Sequence, residues 1–371
     1  MQTPARLAKL FGVAAVSLMI GCASSDTPGG QTGSGGSGAG GAGTGGATGT
    51  GGASAGTGGT SAGTGGSGTG GSVATGGAGG SSDGGMSSPD GSATDGGGGD
   101  GRAAVMASDG CGKMPAQALT MFIRQHLSQK TNNQDRVYDL YLPSAYDPMR
   151  AYPLIFVDHG CDGSIPFMEN PSITTVTKGN AIVVALRAYS SQQTGQPYGG
   201  GCFDTGPNST SLTELAYFDQ ALKDIEGMAC VDKARVFMSG FSSGSWLTNL
   251  LGCTRAGVIR AQGNSTGGLP SVPKMCAGPI AAFMVHDMQD PQNSYAGGLI
   301  ARDRILAING CSMTNSVPYD YDGDPATPST CMLFQGCMSG YPVVWCPTMN
   351  KGHVDQVPIT TTGMWRFWSQ F

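Results

Sequence analysis

Apolar and polar positions along the chain fall into two regimes. Residues 23 to about 109 are Gly, Ser, Thr and Ala with scattered Asp and no aromatic residue. From about residue 110, short apolar runs alternate with amphipathic stretches. Residues 137–142, Val-Tyr-Asp-Leu-Tyr-Leu, alternate and predict a half-exposed first strand. Residues 153–157, 181–186, 234–238 and 279–285 are apolar runs and predict buried strands. Ser211-Leu212-Thr213-Glu214 reads as a capping box that opens a helix to about Met228. Residues 245–251 and 297–309 predict further helices. Residues 330–334 and 342–346 predict a hairpin, and 363–371 a closing aromatic helix. Strands alternating with helices imply an α/β fold, a mostly parallel sheet covered on both faces.

One stretch organises this domain. Gly240-Phe241-Ser242-Ser243-Gly244 has the form G-x-S-x-G and lies between a predicted strand and a predicted helix. In that context the serine occupies a strained turn and presents its hydroxyl at the carboxyl edge of a sheet. The glycines stand where strand and helix pass too closely for side chains.

The glycine-rich part changes the picture of the chain's start. Such a composition cannot bury enough apolar surface to offset its ordering entropy, so it reads as a flexible tether. About 80 such residues span roughly 50 Å. Before it, Arg6 and Lys9 precede an apolar stretch from Leu10 to Ile20, too short for a stable membrane span. The stretch ends Leu18-Met19-Ile20-Gly21-Cys22, which resembles a bacterial lipobox. The expected organisation is an export signal over 1–21, an acylated Cys22 opening a tether over 22–109, and a catalytic domain over 110–371. A net charge of −5 without a basic patch argues against nucleic acid as a partner. The expected location is therefore outside the cell, with membrane contact only through the lipid anchor.

The chain has 11 cysteines, and setting Cys22 aside leaves an even number in an exported chain. Disulfides follow, and a metal site does not. Cys331 and Cys346 oppose each other if the region from Gly336 to Gly340 turns a hairpin. Cys161 and Cys202 lie on loops after two early strands and are expected to pair beside the site.

The chain has four histidines. His126 precedes the first predicted strand, His159 follows an early strand, and His286 ends the strand before the acid. His353 alone falls after the last strand. The acid is Asp290, with Asp287 as its rival and Asp355 weaker. Ser242, Asp290 and His353 then follow the chain order of an α/β-hydrolase triad. Asp158-His159-Gly160-Cys161 ends an early strand where such folds place half of an oxyanion hole. The backbone N–H groups of Cys161 and Ser243 are the expected donors, with Gly160 the nearest alternative to Cys161. Tyr189, Phe203 and Trp246 are candidate acyl contacts. The chemistry requires no cofactor.

Taken together, these residues resemble a family of secreted feruloyl esterases, relatives of polyhydroxybutyrate depolymerases and acetylxylan esterases. The resemblance runs from Cys111 to Phe371. It rests on Gly110-Cys111-Gly112-Lys113, Cys230-Val231-Asp232, the G-x-S-x-G stretch, His286 through Asp290, and Ala301-Arg302-Asp303-Arg304. Asn309-Gly310-Cys311, Gln335-Gly336-Cys337, Gly340-Tyr341-Pro342-Val343 and Trp368-Ser369-Gln370-Phe371 complete it. The family's usual His-Gly before its acid is His286-Asp287 here, and its Gly-Gly-His is Lys351-Gly352-His353. The resemblance implies the same triad and places cysteines at Cys311 and Cys337, which are expected to pair. It implies a serine esterase releasing hydroxycinnamate from plant cell-wall arabinoxylan; a monomer is expected. A polyester depolymerase or acetylxylan esterase is the enzymatic alternative, and an inactive surface-binding lipoprotein the non-enzymatic one.

Overall fold

A computed structural model describes residues 103–161, 163, 167, 172–189, 201–205, 212–270 and 275–371. The expected signal, Cys22 and nearly all of the tether lie outside these residues. In chain order the elements are β1 (Ile123–His126), β2 (Val137–Tyr141), β3 (Tyr152–Asp158), α1 (Ile173–Val176), β4 (Ile182–Leu186), α2 (Leu212–Met228) and β5 (Val231–Phe241). There follow α3 (Ser243–Thr254), β6 (Ala261–Ser265), β7 (Ala281–Asp287), α4 (Tyr295–Ile308), β8 (Ser316–Pro318), β9 (Met332–Phe334) and β10 (Val343–Thr348). A π-helical turn, Ile359–Gly363, leads into α5 (Met364–Trp368).

These strands form one sheet in the order β1-β2-β4-β3-β5-β6-β7-β10-β9-β8. From β4 to β10 every neighbouring pair is parallel. The outer pairs β1/β2, β2/β4, β9/β10 and β8/β9 are antiparallel. The architecture is an α/β-hydrolase fold, mostly parallel and stapled by disulfides.

Period-two alternation along β3 splits its side chains between two cores. Leu154 and Phe156 join Tyr217, Phe218 and Ile225 of α2 and Leu247 and Leu250 of α3. Ile155 and Val157 join Ile173, Met364, Phe367 and Trp368. A third cluster seats Ala301, Ile305 and Leu306 of α4 on Met284, Val343 and Trp345. Each fully buried large side chain contributes about 1.5–3 kcal/mol.

Three elements differ from the sequence expectation. β1 precedes the expected first strand and pairs His126 with Val137 at the sheet edge. β8 adds a short strand at the opposite edge. β6 is central yet polar, Ala-Gln-Gly-Asn-Ser, so its apolar signal is missing. Two of its polar side chains, Gln262 and Asn264, are nonetheless hydrogen-bonded inside the protein. Gln262 Nε2 donates to Asn249 Oδ1 (3.1 Å) and Asn264 Oδ1 (2.9 Å), and Asn264 Nδ2 donates to Asn249 Oδ1 (3.0 Å). Gly263 lets the C-terminal helix close on the sheet, since a Cβ there would lie 2.4 Å from Met364 Sδ.

Residues ahead of Cys111 are also held against the domain. Met106 N donates to Asp232 Oδ1 (2.9 Å), and Ala107 bridges Asp232. Ser108 Oγ donates to Ala229 O (2.8 Å) and accepts from Val231 N (3.0 Å). Hydrogen bonding to a distant strand anchors these residues, a cause that composition does not register.

Cys111–Cys230, Cys161–Cys202, Cys253–Cys276, Cys311–Cys337 and Cys331–Cys346 are joined as disulfides. Trp345 opposes Met332 in the β9/β10 ladder, which sets Cys346 against Cys331 one residue on.

Asp158 ends β3 fully buried beneath the start of α3. Its Oδ2 accepts from Thr248 Oγ1 at 3.4 Å, and its Oδ1 has no hydrogen-bond partner among the described residues. Burial pushes this carboxyl well above the usual carboxylate range, the Glu214 charge adds to that, and the Thr248 bond opposes it. A raised folded-state pKa makes stability greatest below the unfolded value of about 3.9 and erodes it as pH rises toward the folded value. Asp158→Asn should therefore flatten the decline of Tm with rising pH. Parallel Tm profiles for wild type and variant would show that Asp158 does not carry this dependence.

Candidate active site

Ser242 joins β5 to α3 at φ 53°, ψ −117°, a conformation that L residues rarely adopt. The flanking glycines make it possible. A Cβ on Gly240 would lie 2.2 Å from Gly244 O, and one on Gly244 would lie 2.2 Å from Asp158 O. Ser242 N donates to Ser265 O (3.0 Å), and Ser242 O accepts from Ser245 N (2.9 Å), which pins the turn.

Its hydroxyl meets residues from two distant loops. His353 Nε2 lies 2.8 Å from Ser242 Oγ. His353 Nδ1 lies 2.8 Å from Asp290 Oδ2 and 3.0 Å from Oδ1. The carboxylate only accepts, so Nδ1 carries the proton and Nε2 is left to accept from the serine. Asp290 Oδ1 also accepts from Gln292 N (2.8 Å) and Asn293 N (2.9 Å), which holds the carboxylate toward the ring. The Asp290 side chain is fully buried and that of His353 is 7% exposed. The Phe241 ring stands 5.0 Å from the His353 ring.

The other histidines and carboxylates take different places. His286 lies 3.8 Å from Asp290 and bonds Asn293 O through Nε2 (3.0 Å). Burial pushes its pKa down, against the Asn293 bond and the Asp290 charge, which favours the neutral ring. Asp287, the rival acid, bonds backbone N–H groups near His353 and not the ring. Asp355 accepts from Phe167 N (3.0 Å) and Thr360 Oγ1 (2.6 Å). His126 is exposed in β1, 3.4 Å from Asp135.

Ser243 is the first residue of α3, so its N–H has no partner within the helix. Gly160 sits against the elbow, where an added Cβ would lie 3.3 Å from Ser242 Cβ. His159 Nδ1 hydrogen-bonds Gly160 O, while His159 Nε2 accepts from Ala188 N (3.0 Å). Across a planar trans peptide, C=O and N–H point oppositely. Tying Gly160 O to the imidazole thus turns the Cys161 N–H to the other side. Cys161 is held further by its disulfide to Cys202 and by Gly201 N donating to Cys161 O (2.8 Å). Arg187 donates to Gly163 O and to Asp139.

Of the three candidate acyl contacts, Phe203 is 3% exposed, with its ring 4.8 Å from that of His159. It packs under the turn instead of facing an open cleft. Tyr189 and Trp246 are half-buried. Tyr189 lies beside the Arg136 guanidinium (5.7 Å), and Trp246 fills the space a Cβ on Gly268 would take. The sequence pattern placed His159 on the oxyanion turn and weighed Asp287 as a rival acid, but it assigned neither of them, nor Phe241, a supporting role. A titratable residue at a buried strand end was the available signal for His159 and Asp287.

Removing the Cys161–Cys202 link should loosen this turn without unfolding the domain, because the other disulfides lie elsewhere. Cys161→Ser with Cys202→Ser should lower kcat about tenfold with KM little changed, a fraction of the effect of losing an oxyanion donor. Unchanged kcat would show that the link does not position the loop.

The fold and the geometry of this site define an α/β-hydrolase esterase. No family model matches the chain. The chain is 29% identical over 296 residues to feruloyl esterase D of Neurospora crassa, covering 72% of this chain and 92% of that protein. It is 30% identical over 262 residues to feruloyl esterase C of Emericella nidulans, covering 68% of this chain and 85% of that protein. The acetyl xylan esterase from Aspergillus awamori shares the fold with a TM-score of 0.50 at 14% identity, over 67% of this chain and 100% of that one. The chain belongs to the feruloyl esterase family, and it is a carboxylic ester hydrolase.

Proposed function

We propose that the protein is a serine esterase that releases hydroxycinnamates, ferulate above all, from plant cell-wall arabinoxylan. The observation that carries the mechanism is the imidazole of His353 bonded at once to Ser242 and Asp290. Relatives named feruloyl esterases support the acyl group. Ser242 Oγ attacks the ester carbonyl as His353 Nε2 takes its proton. The Cys161 and Ser243 N–H groups stabilise the developing oxyanion, each donor being worth about 3 kcal/mol. His353 then protonates the leaving alcohol, and Asp290 stabilises the imidazolium. Water, deprotonated by His353, hydrolyses the acyl-enzyme. These steps use only side chains, backbone N–H groups and water. Tyr189 and Trp246 are the candidates for contact with the acyl ring.

The lipobox-like residues before Cys22 support export and lipid anchoring, with the glycine-rich tether carrying a monomeric enzyme outward. Cys22→Ala should release the full chain from the detergent phase, and unchanged partitioning would refute the anchor.

Turnover of methyl ferulate, acetylated xylan and polyhydroxybutyrate granules tests the substrate. Preference for methyl ferulate supports the reading. Preference for either other substrate replaces it, and no turnover of any ester leaves a binding protein.

A further inference from the structure

Asp287 is the last residue of β7 and is fully buried. It bonds neither His353 nor Ser242, yet its carboxylate accepts four hydrogen bonds, one from its own loop and three from the end of β10 and the loop to His353. Oδ1 accepts from Gln289 N (3.0 Å) and Gly352 N (3.1 Å). Oδ2 accepts from Thr348 Oγ1 (3.0 Å) and Lys351 N (3.0 Å). The parallel register of β7 and β10 sets Asp287 beside Thr348, so the two strands end together. The loop leaving β7 carries Asp290, and the loop leaving β10 carries His353.

Between Thr348 and His353 the backbone bends through two left-handed residues, Asn350 (φ 60°) and Gly352 (φ 73°). Such a path offers the N–H groups of Lys351 and Gly352 no ladder partner, and the Asp287 carboxylate takes that place. Asn350 N adds a parallel tie to Gln289 Oε1 (2.7 Å). Burial alone would push the Asp287 carboxyl up, but the bonds from Lys351, Gln289, Gly352 and Thr348 outweigh it and hold the carboxyl below the usual range.

We propose that Asp287 is a positioning residue for the reaction: its carboxylate gathers the peptide units before His353 and thereby places the imidazole between Ser242 and Asp290. The proposal rests on the serine-esterase reading above. It predicts a loss of rate out of proportion to the loss of stability, because a misplacement of about 1 Å in a catalytic group can cost roughly a hundredfold.

Asp287→Asn is the test, since the amide keeps the side chain's shape but sets an NH₂ against N–H donors. Asp232→Asn is the structural control. Asp232 is also fully buried and accepts from Met106 N (2.9 Å) and Ala234 N (3.1 Å), at the start of β5. Both variants should lose Tm. Asp287→Asn alone should lower kcat on a p-nitrophenyl ester roughly 100-fold with KM within about twofold. Its rate of phosphorylation by diethyl p-nitrophenyl phosphate should fall in parallel, with the final labelling of Ser242 unchanged. If Asp287→Asn does not fold, Asp287→Glu keeps the charge at a shifted position and should show the same slowed labelling. Labelling of either folded Asp287 variant at the wild-type rate, or equal losses in Asp232→Asn, would overturn the proposal. A wild-type protein that is not labelled at Ser242 would instead overturn the serine mechanism, so the two failures are distinguishable.

Discussion

Ser242→Ala should reduce ester turnover by at least about three orders of magnitude while leaving the fold intact. The serine makes no side-chain cap bond to α3. Its turn is held by the backbone bonds to Ser265 and Ser245, which alanine retains. What is lost is the hydroxyl that lies 2.8 Å from His353 Nε2, the nucleophile of the proposed reaction. Triad members act as a unit, so removing one leaves only oxyanion stabilisation and binding. Turnover of a p-nitrophenyl ester, with circular dichroism as the folding control, measures the effect. A variant within tenfold of wild type would remove Ser242 from the mechanism. Asp290→Asn belongs to the same experiment, because an amide at 2.8 Å from Nδ1 favours the wrong tautomer. A greater kcat loss in Asp287→Asn than in Asp290→Asn would reverse the roles proposed for the two carboxylates.

Gly244→Ala should abolish the folded domain or cost at least about 3 kcal/mol, the upper end of ordinary overpacking. The added methyl would lie 2.2 Å from Asp158 O and 2.5 Å from Asp158 C. Both are backbone atoms at the end of β3, which pairs with β4 on one side and β5 on the other. No side-chain rotation can relieve that contact, and moving the strand would break two ladders. Gly227 in α2 is the contrast, since a Cβ there meets nothing within 4 Å. Gly227→Ala should be neutral or stabilising by up to about 1 kcal/mol. Denaturant titration of both variants checks the difference. A Gly244→Ala protein as stable as wild type would mean that helix and strand are less closely apposed than a 2.2 Å contact requires.

The same contrast separates what local sequence carries from what the fold supplies. The elbow was legible because strand, G-x-S-x-G and helix are contiguous, and its steric demands act within a few residues. The buried strands β3, β4 and β7 were legible because both faces are covered and apolar residues run unbroken. His353 and Asp290 could be ordered along the chain by their places after late strands. β6 was not legible, because the partners of its Gln262 and Asn264 include Asn249, on a helix earlier in the chain. Two disulfides, Cys111–Cys230 and Cys253–Cys276, bring together residues 119 and 23 positions apart, and nothing local marks them.

Asp287 shows the division most directly. By itself the sequence determined that two carboxylates, Asp287 and Asp290, stand within four residues at the end of β7, and it favoured Asp290 by position. Only the tertiary structure decided that Asp290 faces the imidazole while Asp287 faces the peptide before it. The physical reason is the parallel register of β7 with β10. It sets Asp287 beside Thr348, although they are separated by 61 residues in sequence, and so points one carboxylate at a ring and the other at a turn.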